Sequence, residues 1–530
     1  MTFSLNTIQI EPADLIAGRA VPLHSVHGLC IRSHNPADPA QTIWEANACN
    51  DHVPEALKAA RSAAAVWSMA PIEQRERALN VCRELFVQRA EQIASLICAE
   101  TGKAMWEAKA EAGLLPAKIA TVLMAGMQSD GAGRARIDGY SIKLTDTRTG
   151  VCRFKPHGVM VVLGPFNFPM HLPNGHIVPA LLAGNTIVFK PSDKTPACGQ
   201  LLIELFNEAL TSAGAPPGVV NLVHGGADVA QALVNHDEPD GILFTGSWPV
   251  GRSILEANLD RPGRMIALEM GGNNPAVVMP DADLAQAVIE CARASFATTG
   301  QRCTCTRRII VHESIFKPFT AAFAKVASTL IVGDPQGVAG EQPFMGPLIR
   351  QESVDAALRF QQELQSSGGE IVLEATEMDS PTNGSYITPG IVRLPHGAKF
   401  SVTENPAIDC GCDTEVFAPI VRISACKDID DAIELANATR YGLAASIFTR
   451  DERSIERFLN EARAGCINVN TGTAGASGKL PFGGVGWSGN HRPAGAFSPD
   501  YCAYPVATMN ETGDAAPLSP GMHVDPAWLQ

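Results

Sequence analysis

The rhythm of apolar and polar positions changes several times along the chain. Between Val53 and Thr101, apolar residues recur every three or four positions with Glu, Arg and Gln between them. That spacing predicts helices over Val53–Met69, Pro71–Arg89 and Ala90–Thr101. Pro71 suits a helix start, where its missing N–H costs nothing. After the polar segment Ser129–Gly139, the run Tyr140–Lys155 (YSIKLTDTRTGVCRFK) alternates with period two around a Thr-Gly turn signal, a hairpin pattern. From Gly158 short apolar blocks alternate with helical stretches. VMVVLG, TIVFKPS, VVNLVHG and GILFTGS read as strands, with helices at Gly199–Ala213 and Ala227–Asn235. A second series opens after Arg264: MIALEMGG and NPAVVM, a helix over Asp281–Thr298, RRIIVH, and a helix over Glu313–Leu330. Later helices are predicted at Ala425–Ala438 and Asp451–Arg463. Strands this apolar are buried on both faces, so the alternation predicts parallel, doubly wound α/β sheets.

One run tests the membrane question. Pro156 to Phe189 holds no charged residue and is long enough to span a bilayer. Pro165, Pro169, Pro173 and Pro179 interrupt it, and a lipid-exposed helix would carry unsatisfied backbone there. It predicts a buried strand, a turn, a short helix and a second buried strand at the centre of a domain. The N-terminal stretch has no basic region followed by an apolar one, so no signal peptide and a cytoplasmic location are expected. With 41 Lys and Arg against 55 Asp and Glu the net charge is −14, which repels phosphate backbones; neither nucleic acid nor a membrane is expected as a partner. The 530 residues allow several domains and a large core. Fourteen cysteines are scattered without a CxxC pair; the closest pairs are Cys303-Thr304-Cys305 and Cys410-Gly411-Cys412. They read as reduced, mostly buried thiols, and no metal site is expected.

Ligands of open α/β sheets bind beyond the carboxyl ends of strands. Three strand ends carry unusual residues: VMVVLG runs into GPFNFP (Gly164–Pro169), TIVF into KPSD (Lys190–Asp193), and ILF into TGSWPVG (Thr245–Gly251). Gly246 permits a tight turn, Ser247 can donate a hydrogen bond and Pro249 fits a first helical turn; free N–H groups there would attract a pyrophosphate. Lys190 and Asp193 could both face a ribose. Gly300-Gln301-Arg302-Cys303-Thr304-Cys305 follows a predicted helix, and a cysteine beside a cation and free backbone N–H groups becomes a better thiolate. Leu268-Glu269-Met270-Gly271-Gly272 sets one carboxylate at an apolar strand end, where burial would raise its pKa and suit it to general-base work. Taken singly, each has a plain alternative: a bare turn, a solvated charge pair, an inert thiol, a carboxylate in an ion pair.

Their order joins them. GPFNFP, FKPS, FTGSxxxG, LEMGG, GQRC, ExFxP (Glu415–Pro419) and PFGGVGxSG (Pro481–Gly489) follow one another in a way that resembles the NAD(P)-dependent aldehyde dehydrogenase superfamily over essentially the whole chain. Within it, HLPNGHIVPALLAGNTIVFKPS (His171–Ser192), ALEMGGNNP (Ala267–Pro275), GQRCTC (Gly300–Cys305), SGNHRP (Ser488–Pro493) and DYCAYPVA (Asp500–Ala507) resemble the N-succinylglutamate 5-semialdehyde dehydrogenases of arginine breakdown.

The resemblance implies an α/β, aldehyde dehydrogenase-like fold with two doubly wound domains and a small β oligomerisation arm. The NAD-binding domain would be 1–130 and 155–264, the catalytic domain 265–470, the arm and active-site loop 131–154 and 471–510, and the tail 511–530. A homodimer or homotetramer is expected. Cys303 is the implied nucleophile. The Asn167 amide and the Cys303 N–H are the implied oxyanion donors. Glu269 would activate water, so the product would be a free acid. Gly164, Pro165, Phe166, Lys190, Ser192, Asp193, Gly246, Ser247, Gly251, Gly271, Glu415 and Phe417 are the implied cofactor contacts. NAD is favoured over NADP, because a carboxylate at 193 repels a 2′-phosphate; the family's usual residue there is the longer Glu. Ala418 stands where most members have Gly. The expected partner is a small aldehyde bearing a carboxylate, met by Arg302, Arg492 or His491; a structural ion pair is the alternative for Arg302. If Asn167 starts a helix, His171 and Gly175 follow on its face, and Gly175 leaves a wide tunnel. The loop Thr471–Lys479 adds small donor residues. The competing readings are a dehydrogenase of another semialdehyde or of broad aliphatic aldehydes, a cofactor-independent thiol esterase on the same fold, and a non-catalytic relative.

Overall fold

The computed structural model describes residues 10–23, 28–124, 132–338, 341–395, 411–475, 477–513 and 518–530. Cys410, residue 476 of the small-residue loop, residues 129–131 of the polar segment, and parts of the N-terminus and tail lie outside them. The chain opens with β1 (Ala13–Ile16) and β2 (Arg19–Pro22), then a second antiparallel pair, β3 (Cys30–Asn35) and β4 (Asp38–Asn47). Four helices follow: α1 (His52–Trp67), α2 (Ile72–Gln88), α3 (Ala90–Thr101) and α4 (Met105–Val122). A hairpin of β5 (Tyr140–Lys143) and β6 (Arg148–Pro156) separates them from a strand–helix alternation. This is β7 (Val159–Leu163), α5 (His171–Ala183), β8 (Thr186–Lys190), α6 (Pro196–Ser212), β9 (Val220–Leu222), α7 (Ala227–Asn235), β10 (Gly241–Thr245), α8 (Trp248–Glu256) and β11 (Met265–Glu269). The second alternation is β12 (Asn274–Val278), α9 (Leu284–Phe296), β13 (Thr306–His312), α10 (Phe316–Ser328), α11 (Gln351–Ser366), β14 (Glu370–Leu373), β15 (Gly390–Arg393), β16 (Ile420–Cys426), α12 (Ile429–Asn437), β17 (Ala444–Phe448), α13 (Glu452–Glu461) and β18 (Cys466–Val469). A two-residue pair, β19 (Pro481–Phe482) and β20 (Ala494–Gly495), and β21 (Ala503–Glu511) close the chain.

These strands form two seven-stranded sheets, ordered β11-β10-β7-β8-β9-β1-β2 and β14-β15-β16-β13-β12-β17-β18. Both are parallel except at one edge each: β1 and β2 in the first, β14 in the second. All five residues of β7, β8, β10, β12 and β17 are buried, as strands covered by helices on both faces must be. The charge-free run is the strand–helix–strand β7-α5-β8, almost wholly buried. Pro173 sits in the first turn of α5, where no intrahelical N–H is missed. Among the described residues no helix is long and apolar enough to cross a membrane.

Three local readings change. MIALE was read as opening the second series, but β11 is hydrogen-bonded to β10 along its full length and ends the first sheet. Ala425 was expected at a helix start and instead lies in β16; α12 begins at Ile429, behind the Asp428 cap that accepts a hydrogen bond from the Asp431 N–H. Asn167 does not start a helix, because α5 begins at His171. The hairpin and the C-terminal strand share a third sheet, ordered β21-β6-β5, in which Ala503–Glu511 pairs residue for residue with Pro156–Arg148.

Candidate active site

In the first sheet the chain builds outward from β7 to β8 and β9, then returns to lay β10 and β11 on the other side of β7. A crevice opens at such a reversal, beyond the carboxyl ends of the strands. Those ends are in register. Leu163 pairs with Lys190, Phe244 with Leu163, and Thr245 with Glu269. A cavity of about 760 Å³ fills the crevice. Its lining joins Gly164, Pro165, Phe166 and Asn167 after β7 with Lys190, Ser192 and Asp193 after β8, and with Thr245, Gly246 and Ser247 after β10. Cys303, Glu415 and Phe417 come in from the second sheet.

The segment before Cys303 is strained. Thr298 and Thr299 have φ of 54° and 53°, a left-handed conformation that β-branched residues avoid. Gly300 continues the bend at φ 73°; a Cβ there would lie 2.3 Å from the Ala418 carbonyl. Glu107 on α4 holds the bend. Its carboxylate accepts from Thr298 N (3.0 Å), Thr298 Oγ1 (2.8 Å) and Arg302 Nη2 (2.6 Å). Arg307 donates to the Gly300, Arg302 and Ala418 carbonyls. On the far side Asn274 Nδ2 binds the Cys303 and Cys305 carbonyls, both at 2.8 Å, and Thr473 of the small-residue loop donates to the Thr304 carbonyl at 2.7 Å.

Burial pushes the Cys303 thiol well up, and the nearby Glu415 and Glu269 carboxyls add to it. The expectation that Arg302 would favour its thiolate does not hold, because that guanidinium is committed to Glu107 and Thr298. Arg302 is held in this ion pair and is not one of the cavity-lining residues. Glu269 is 5% exposed. Burial also drives its carboxyl well above the usual range, with one hydrogen bond from the Ala494 backbone acting the other way. Its Oε2 is buried with no hydrogen-bond partner. The loop after β19 braces this strand end: Asn490 bonds both Leu268 N and the Ile266 carbonyl, and Trp487 stacks on Trp248 at 5.2 Å.

The Asn167 side-chain amide donates to the Gln301 carbonyl (2.8 Å), which leaves one of its two N–H groups for the cavity. Lys103 fixes the residue from behind, donating to the Asn167 carbonyl (2.8 Å) and to Glu111 (2.5 Å). Lys190 is 8% exposed and donates to the Pro191 carbonyl; burial lowers its ammonium to about 8. Glu415 accepts from Gly272 N (2.9 Å), and burial raises it to about 7. Gly271 and Gly251 are not lining residues. A Cβ on Gly271 would sit 1.7 Å from Glu415 Oε2, and one on Gly251 would sit 2.3 Å from Met270 Sδ, so both act by leaving room. His171 is held near pH 3 by burial, and its Nδ1 has no partner. Arg492 is exposed and donates to the His491 carbonyl. Neither lines the cavity. A Cβ on Gly175 would meet nothing within 4 Å, in keeping with an open space there.

Sequence reasoning missed Lys103, Glu107, Glu111 and Arg307. A signal existed: Glu107, Glu111 and Lys118 lie four and seven residues apart, so they share one face of α4, and all are buried.

The model of the aldehyde dehydrogenase family matches residues 25–504. The chain belongs to the aldehyde dehydrogenase family. This aldehyde dehydrogenase is 41% identical over 469 residues to N-succinylglutamate 5-semialdehyde dehydrogenase 1 of Caulobacter vibrioides, covering 88% of the chain and 93% of the relative. It is also 41% identical over 482 residues to N-succinylglutamate 5-semialdehyde dehydrogenase of Caulobacter sp. strain K31, covering 88% and 91%. Among solved structures, an NAD-dependent aldehyde dehydrogenase from Sinorhizobium meliloti superposes with a TM-score of 0.84 at 27% identity, covering 95% of each chain. A glyceraldehyde-3-phosphate dehydrogenase from Methanocaldococcus jannaschii, complexed with NADP, superposes with a TM-score of 0.80 at 27% identity, covering 95% and 100%.

Proposed function

We propose that this aldehyde dehydrogenase oxidises N-succinylglutamate 5-semialdehyde to the free acid, with NAD as cofactor and a cysteine thioester as intermediate. The observation that carries the substrate is the 41% identity to enzymes of that name across nearly nine-tenths of the chain. The residues around the crevice fit a dinucleotide. Gly246 and Ser247, which lead into the N-terminus of α8, line the cavity together with Val250 of its first turn. Lys190 gives one proton to the Pro191 carbonyl, and among the described residues no carboxylate lies within ion-pair distance of it, so its other protons are available for ribose hydroxyls. Asp193 beside it favours NAD, since its charge repels a 2′-phosphate. When bound, the dinucleotide supplies the hydride acceptor that turns the cysteine adduct into a thioester.

The chain's own residues do the rest. A raised thiol needs a base, and Glu269, itself raised, can take its proton. The Cys303 sulfur bonds to the aldehyde carbon. The second Asn167 N–H and the Cys303 backbone N–H receive the oxyanion. Once the thiol's proton has left Glu269 for solvent, the carboxylate takes a proton from the water that attacks the thioester. A C–O bond forms, the C–S bond breaks, Cys303 leaves as a thiolate that takes the proton back from Glu269, and the free acid leaves. The β21-β6-β5 sheet is read as the oligomerisation arm, because a small exposed sheet is marginal alone.

The test is NADH formation with N-succinylglutamate 5-semialdehyde, succinate semialdehyde and a simple aliphatic aldehyde, with Cys303→Ala as control. A preference in kcat/KM for the succinylated substrate, abolished by Cys303→Ala, is expected. Equal activity on all three would sink the substrate and leave the dehydrogenase.

A further inference from the structure

The junction of α3 and α4 carries four buried charged residues: Glu100, Lys103, Glu107 and Glu111. A charge inside a fold is costly unless it is paired or hydrogen-bonded, so each needs partners there. None of the four lines the cofactor cavity. Their partners lie on, or next to, the segments that do. Glu107 holds the bend before Cys303; Glu100 acts on α6. The first N–H groups of a helix have no partner within it, and the α6 N-cap, Thr195, does not use its side chain for them. Glu100 supplies the acceptors instead. Its Oε1 accepts from Ala197 N at 2.9 Å and its Oε2 from Cys198 N at 2.8 Å, while Ser33 Oγ donates to Oε1 at 2.6 Å. The start of α6 in turn packs on the Lys190–Asp193 segment. A Cβ on Gly199 would lie 2.4 Å from Pro191 Cβ, and the Pro191 carbonyl is the acceptor that holds Lys190 Nζ. A shift of the helix start is therefore passed to the segment assigned to the ribose.

Lys103 and Glu111 act on the segment after β7. Lys103 Nζ donates to the Asn167 carbonyl at 2.8 Å and lies 3.7 Å from the centroid of the Phe168 ring. Its ion-pair partner Glu111 accepts from Met170 N (3.2 Å) and His171 N (3.1 Å). One buried pair thus grips Asn167–His171 at both ends. Gly102, at φ 70°, turns the chain between the two helices, and a Cβ there would lie 2.7 Å from Pro347 Cγ. The spacing of Glu100 and Lys103 is set by that packed turn.

We propose that Glu100 and the Lys103–Glu111 pair are positioning residues with separate tasks: Glu100 sets the affinity for the dinucleotide through α6, and Lys103 with Glu111 sets the place of the oxyanion donor Asn167. The assignment rests on the function given above. The tasks are separable because the hydrogen-bond partners of Glu100 and those of the pair do not overlap among the described residues.

Three measurements separate the tasks. They are the Kd for NADH by fluorescence, the first-turnover NADH burst at saturating NAD with N-succinylglutamate 5-semialdehyde, and the rate of Cys303 alkylation by iodoacetamide in the free enzyme. Glu100→Gln turns an amide N–H toward the α6 donors. Its Kd for NADH is expected to rise about tenfold, with burst and alkylation within about twofold of wild type. Ser33→Ala loosens Glu100 without altering either helix and should raise the Kd about threefold. Lys103→Met keeps the bulk of the side chain and removes the donor to Asn167. Its burst should slow about tenfold or more, because a displaced oxyanion donor stabilises the transition state less, with Kd and alkylation unchanged. Where the unpaired Glu111 prevents folding, Lys103→Met combined with Glu111→Gln replaces it under the same expectation. Equal losses of affinity and burst in both sets of variants overturn the assignment, because general damage to the fold moves every measurement. An unchanged Kd in Glu100→Gln and Ser33→Ala, or an unchanged burst in the Lys103 variant, overturns it as well. If the wild-type enzyme binds no NADH and forms none with any aldehyde, the functional reading fails first and the assignment falls with it.

Discussion

Glu107 offers the sharpest test of how the fold presents Cys303. The Thr298-Thr299 bend costs about 1–3 kcal/mol per left-handed threonine, or about 2–6 kcal/mol in all. Glu107 opposes that with three charge-assisted hydrogen bonds, each worth about 1.5–3 kcal/mol. Glu107→Gln keeps the shape but turns one acceptor into a donor facing other donors, and it leaves Arg302 unpaired beside a buried amide. Breaking a buried pair in this way costs about 3–5 kcal/mol. If about 2 kcal/mol of that goes into relaxing the bend, kcat/KM falls about thirtyfold. The assay is NADH formation together with the rate of Cys303 alkylation by iodoacetamide, with Tm measured alongside. Adding Thr299→Gly should restore part of the activity, because glycine takes positive φ without strain. It should not restore Tm, because the Thr299 bond to the Gly346 carbonyl is lost. A lower Tm with unchanged kcat/KM and alkylation rate would refute the reasoning: Glu107 would then stabilise the fold without positioning the cysteine.

Three other outcomes are expected. Glu415 is raised in the folded state, so its contribution to stability is largest at low pH and is lost as pH rises from about 4.5 through about 7, by about 3 kcal/mol at most; Tm against pH should fall less steeply over that window in Glu415→Gln. Gly271→Ala would drive a methyl into the Glu415 carboxylate, and a several-fold rise in KM for NAD, with little change in the alkylation rate of Cys303, would show the displacement. Asp193→Ser removes a half-exposed charge from the ribose end of the cavity, and the ratio of kcat/KM for NADP to that for NAD should rise about tenfold, a shift that unchanged ratios would contradict.

What the sequence determined by itself is what is local or linear. The charge-free run from Pro156 to Phe189 had to be a buried strand–helix–strand, because apolar periodicity is a property of neighbouring residues. The unusual residues at the ends of β7, β8, β10 and β11 were visible for the same reason, and so was the raised carboxyl of Glu269 at an apolar strand end. The tertiary structure alone decided how these ends meet. β10 returns to pair with β7, so Thr245, 82 residues after Leu163, comes to line the same cavity, and no local signal encodes such a pairing. It also decided the state of each charge. Arg302 precedes Cys303 in sequence, yet it is neutralised by Glu107, 195 residues away. Burial then lifts the Cys303 thiol where adjacent residues alone suggested it would fall. A side chain's chemistry depends on what surrounds it after water is excluded, and those surroundings come from parts of the chain that sequence spacing cannot bring together.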